Sequence, residues 1–175
     1  MRHLARVHPA STQGRVEGEE LTRFCTHCAT LFDAPTAQAG TPNRGRVCTR
    51  CGLGVVLPCS AATLTAPGAA FLVVTSDLRV SAASQAAENM FAVPDGIYGR
   101  PLMSLLTSPA GVGELARVVV RAANGAFAPA TLPVEAAAGS VAVPATGATA
   151  TALEARVGGC GNPPAALVVV EVTAA

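Results

Sequence analysis

A chain of 175 residues has room for one ordinary domain, or for a small module attached to a domain of about 100 residues. Half of the residues are hydrophobic, 13% are charged and the formal net charge is +1. That balance argues against a generic polyanion binder or a polycation of the membrane surface. Lysine is absent and alanine supplies about a fifth of the chain, a bias that reads as a GC-rich bacterial genome rather than as chemistry.

Residues 1–22 carry Arg2, Arg6 and Arg15 but no apolar block like that of a secretory leader. No stretch approaches the roughly 18 apolar residues that cross a bilayer. The expectation is a cytoplasmic protein without a membrane partner, in which thiols stay reduced and grouped cysteines more often hold metal than form disulfides. The opening is polar and aperiodic, with Pro9, Gly14 and Gly18, and reads as a flexible tail in which His3 and His8 are solvated. Up to Ser60 seven arginines face four acidic residues, a balance of +3, whereas from Ala61 five face seven, a balance of −2. Two modules follow from that asymmetry.

The first spans residues 23–59. Cys25-Thr26-His27-Cys28 and Cys48-Thr49-Arg50-Cys51 are two C-x-x-C pairs separated by nineteen residues, within the spacing of a structural zinc site. Each pair can aim two sulfurs at one tetrahedral centre, and Gly52 and Gly54 let the backbone turn around it. Val47 and Val55-Val56-Leu57 read as the short strands of a hairpin, and the connection Ala34 to Gly45 carries little apolar material. On this reading metal stands in for a core, contributing on the order of 10–16 kcal/mol in small zinc peptides. The competing reading is a set of reduced or redox-active thiols, and His27 is the alternative ligand within the first knuckle.

The array resembles a zinc ribbon from about Phe24 to Leu57; Ala29 stands where glycine would be expected in the first knuckle. The resemblance implies Cys25, Cys28, Cys48 and Cys51 as ligands of a structural Zn²⁺ with no open position for catalysis. Arg23, Arg44, Arg46 and Arg50 surround the site, with Phe24 and Phe32 as the stacking partners a nucleic acid would need, but the charge of about −2 on a tetrathiolate zinc cancels most of the positive excess. Cys59 and Cys160 lie outside the array and read as small buried residues, with a regulatory thiol pair as the alternative.

Residues 60–68, rich in small residues with Pro67 and Gly68, read as a linker. From residue 69 the pattern is that of a mixed domain. Phe71 to Val74 and Leu78 to Ala82 form a hairpin, a helix runs from about Ser84 to Phe91, and Pro101 to Leu106 form a short helical turn. A longer helix spans Gly113 to Ala123, where Leu115, Val118, Val119 and Ala122 share one face and Arg117 and Arg121 the other. Three strands close the chain at Thr131 to Ala137, Ala148 to Val157 and Ala165 to Val172, the last placed centrally by its apolar run.

The run Phe71 to Val80, the helix Ser84 to Phe91 and the stretch Ile97-Tyr98-Gly99-Arg100-Pro101-Leu102 together resemble a PAS domain over residues 69–175. The resemblance implies an α+β fold with a five-stranded antiparallel sheet and helices on one face, used for sensing, signalling or dimerisation. It also implies a cleft lined by Val73, Met90, Phe91, Leu102, Leu105 and Val119, for a small ligand or simply a filled core. No histidine follows His27 to ligate haem, and the helix that carries the reactive cysteine of photoactive flavin domains has none here.

No G-x-S-x-G, Walker-type loop, histidine–nucleophile pair or paired carboxylates are apparent, so the sequence does not read as an enzyme. The leading expectation is a bacterial regulatory protein coupling a zinc ribbon to a PAS-like sensing or protein-interaction domain, with a protein partner or a second copy as its target. A zinc–thiolate redox switch and a nucleic-acid accessory protein are the alternatives.

Overall fold

In the computed structural model the described residues are 20–32, 46–91, 93–137, 140 and 152–173. Most of the expected tail, the connection 34–45 and the first part of the strand expected from Ala148 lie outside them. The elements are β1 Leu21–Cys25, β2 Leu31–Phe32, β3 Arg46–Val47, β4 Val55–Ser60, β5 Ala70–Val74, β6 Val80–Ala83, α1 Gln85–Met90, a 3-10 turn Leu102–Ser104, β7 Leu106–Thr107, α2 Val112–Ala123, β8 Ala130–Ala136, β9 Ala152–Cys160 and β10 Ala165–Thr173.

The fold is α+β, a curled antiparallel sheet with few helices. Its main path runs β2-β1-β4-β9-β10-β5-β6, with β3 on β4, β8 on β9 and β7 on β8. Within it, β8, β9, β10, β5 and β6 form five consecutive antiparallel neighbours. The sheet does not stop at the five strands that the PAS resemblance implies, because the strands of the first module continue it. β8 pairs with β9 only from Leu153 to Val157, which leaves the end of β9 as an edge whose backbone groups need partners. Cys59 of β4 takes that place opposite Cys160. Cys160 is the last residue of β9.

Alternation along the strands sends side chains to two cores. Leu72, Val74, Ala155, Val157, Val168 and Val170 face α1 and α2, meeting Ala87, Leu115, Val119 and Ala122. This is the apolar stripe read from the α2 periodicity, with Arg117 and Arg121 exposed on its other face. Ser84 caps α1, its Oγ accepting from Ala87 N at 3.2 Å and Phe71 N at 3.0 Å while donating to Ala69 O at 3.0 Å. β10 lies between β9 and β5, buried on both faces.

The opposite face is covered by the cysteine module. Phe71, Val73, Leu167 and Val169 pack there with Phe24, Cys59, Cys160 and Leu64. Phe24 meets Phe71 edge to face at 5.1 Å between centroids, a favoured aromatic geometry. Three expectations change as a result. Val73 belongs to this second core and does not line a cleft with Phe91, Leu102, Leu105 and Val119, which pack together in the first. Segment 60–68 is not a bare connection, since Leu64 is 1% exposed and Ser60 and Thr63 are buried. Leu21 and Thr22, read as the end of the tail, belong to β1 and pair with Ser60 and Cys59.

Candidate metal centre

β1 delivers Cys25 at its end, and the chain then turns so that Ala29 N donates to Cys25 O at 3.2 Å. The second turn repeats the device, with Gly52 N donating to Cys48 O at 2.9 Å. Each turn passes through the left-handed region, at Ala29 (φ 54) and Gly52 (φ 71). Ala29 therefore adopts the conformation for which the ribbon pattern uses glycine, with its methyl buried in the second core. Thr26 ties the two turns together: its N donates to Val55 O at 2.9 Å, and Val55 N donates to Thr26 Oγ1 at 3.0 Å.

The four sulfurs of Cys25, Cys28, Cys48 and Cys51 all lie within 4.8 Å of one another. The Cys25–Cys51 separation is 3.6 Å and the Cys28–Cys48 separation 3.9 Å. Metal–sulfur bonds of about 2.3 Å in a tetrahedron require sulfurs roughly 3.8 Å apart, so the set fits a metal ion with small adjustment. Four thiolates are soft ligands of the type that suits zinc.

Three of these thiols differ in acidity. Burial pushes Cys25 up to about 12. Burial acts in the same sense on Cys28, but the Thr30 hydroxyl, 3.1 Å from its sulfur, and the Thr30 backbone bring it below the ordinary value. The backbone N–H groups of Gly54 and Leu53 lower Cys51 to about 6. The turns thus stabilise thiolate where the sulfurs face outward, and a bound cation would deprotonate the whole set.

Gly54 is held for a steric reason that the sequence did not reveal. A Cβ there would lie 2.4 Å from Cys25 Sγ and 2.8 Å from His27 N. His27 is not part of the four-sulfur group; its backbone carbonyl accepts from Gln85 N at 3.0 Å, at the start of α1. That link between the first knuckle and α1 carries no sequence signature, being backbone to backbone.

The remaining expectations divide. His3, His8 and Arg44 fall outside the described residues, as does the Arg46 side chain. Arg50 borders a shallow depression of about 660 Å³ with Cys28, Thr30, Leu31, Pro67 and Gly68. Phe24 is fully buried against Phe71, so it does not offer the stacking surface proposed for a nucleic acid. Cys59 and Cys160, far apart in sequence, face each other across β4 and β9.

No family of known proteins, no curated protein and no solved structure matches this chain. Among the described residues no helix is long and apolar enough to cross a membrane.

Proposed function

We propose that the protein is a non-catalytic regulator in which a structural zinc ribbon, residues 23–59, reports to a PAS-like sensing or protein-interaction domain, residues 69–175. The observation that carries this reading is the shared packing of the two. The knuckle that presents Cys25 and Cys28 also places Phe24 against Phe71 and the His27 carbonyl on the first N–H of α1. Five antiparallel strands with helices on one face are the arrangement the PAS resemblance implies. A closed tetrathiolate sphere leaves no position for substrate, so its role is to hold the module in shape.

Native mass spectrometry with elemental analysis tests the metal, and hydrogen exchange tests the coupling. The expected results are one zinc per chain and faster exchange in residues 85–90 and 70–74 once a chelator removes it. Much less than one zinc per chain, iron in its place, or exchange in α1 unmoved by chelation would overturn the proposal. The same native mass reports a retained ligand and the number of copies in the assembly.

A further inference from the structure

Cys59 and Cys160 form a second pair of thiols away from the four-sulfur cluster, opposite one another in the register of β4 and β9. Gly161 N donates to Pro58 O at 2.9 Å, a bond between residues flanking the pair, which marks a site whose own backbone groups are not bonded to each other. At such sites the Cα atoms are about 4.5 Å apart and the side chains closest, within the range of about 4.4–6.8 Å that a disulfide spans. Both side chains enter the same core, beside Phe24, Leu64 and Phe71. Burial raises the Cys160 thiol, and the neighbouring Cys59 charge raises it further. A single register pair joins β4 to β9, whereas nine join β9 to β10, so the thiols sit where the two strands meet through one pair.

We propose that Cys59 and Cys160 are a disulfide-forming site that glutathione disulfide, or another small disulfide of its class, oxidises to lock the cysteine module onto the sheet. The thiolate of one cysteine attacks a glutathione sulfur and expels one glutathione thiolate. The thiolate of the other attacks the protein-bound sulfur of the mixed disulfide, closing the Cys59–Cys160 bond and expelling a second glutathione. The protein loses two electrons and two protons; glutathione disulfide gains both and becomes two glutathione thiols. Both cysteines are buried, at 0% and 1% exposure, so the reaction proceeds through transient opening of the seam and is slow while it stays closed. The proposal rests on strand register and is independent of the metal.

The test uses the full, zinc-loaded chain incubated with glutathione disulfide. Remaining thiols are then alkylated and the protein is digested without reductant for mass spectrometry. The expected product is a linked pair of peptides carrying Cys59 and Cys160, two hydrogen masses lighter than the reduced pair, with zinc retained in the native mass. Urea below the unfolding transition speeds its formation, and Cys59→Ala abolishes it. Linkage of either residue to a ribbon cysteine would overturn the proposal. So would both thiols staying reduced under conditions that oxidise the urea-unfolded chain; this outcome needs no variant to fold.

Discussion

Gly54→Ala tests the metal centre without touching a ligand. The added methyl would begin 2.4 Å from Cys25 Sγ, 2.8 Å from His27 N and 2.9 Å from His27 Cβ. Ordinary contact needs about 3.5 Å, so the sulfur must retreat by about 1.1 Å or the knuckle backbone must move. Metal–ligand distances tolerate about 0.2 Å, and the His27 backbone is fixed by its bond to Gln85. Displacing the sulfur therefore costs metal affinity at least as much as losing a residue that orients a ligand, about 10- to 100-fold, or about 1.4–2.8 kcal/mol.

Gly52→Ala is the matched control. Among the described residues nothing lies within 4 Å of its added methyl, but its φ of +71° strains any side chain. It should cost about 1–2 kcal/mol of backbone energy while leaving the sulfur geometry intact. Competition against a chromogenic zinc chelator measures both affinities, and cobalt(II) absorption reports the tetrahedral thiolate geometry. Wild-type zinc affinity with an unchanged cobalt spectrum in Gly54→Ala would refute the assignment of that contact.

Other outcomes follow from the packing. Leu64→Ala should destabilise by about 2–5 kcal/mol in urea unfolding, the cost of truncating a buried leucine; a change near zero would mean that segment 60–68 is a free linker. Ser84→Ala removes the α1 cap and strands the buried Phe71 N–H, for a loss of about 2 kcal/mol or more, checked by the same measurement. Burial pushes the Cys59 thiol from 9.0 up to about 12. Below pH 9 folded and unfolded states both hold that proton; above it the unfolded chain releases it first. Stability should thus fall by up to about 1.4 kcal/mol per pH unit from this thiol, and the Cys59→Ala, Cys160→Ala double variant should flatten that alkaline slope. An unchanged slope would place the thiols in water.

The parts legible in the sequence were those whose signal is local. The spacing of Cys25, Cys28, Cys48 and Cys51 and the helical period of Leu115, Val119 and Ala122 each lie within one segment, and each is borne out by position. β1 carries no local signal, because Leu21-Thr22-Arg23-Phe24 has no clean alternation and its partner β4 begins thirty residues beyond its end. The side of the sheet that Val73 faces is not legible in the sequence, because a fully apolar strand such as Phe71 to Val74 does not show which face is which when both are covered. Leu64 looked like linker because a single leucine among small residues gives no period. The idea that the first module lacks an oily interior failed for a related reason: Phe24 and Leu57 pack into a core built mainly by strands after residue 69.

Gly158 and Gly159 show how the two halves come to share one strand. Successive residues of β9 face opposite sides of the sheet, and neither side has room for a methyl here. A Cβ on Gly158 would meet Thr63 Oγ1 at 2.2 Å and Phe127 O at 3.1 Å; one on Gly159 would meet Ala126 O at 3.0 Å and Ala122 O at 3.2 Å. Segment 60–64 therefore closes on the strand from one face and the end of α2 from the other, immediately before Cys160 meets Cys59. A side chain at Gly158 would push segment 60–64 away and one at Gly159 would push the end of α2, though neither residue is among the four sulfur ligands. The junction is made by backbone approach and by the absence of side chains, which is why composition and periodicity pass over it.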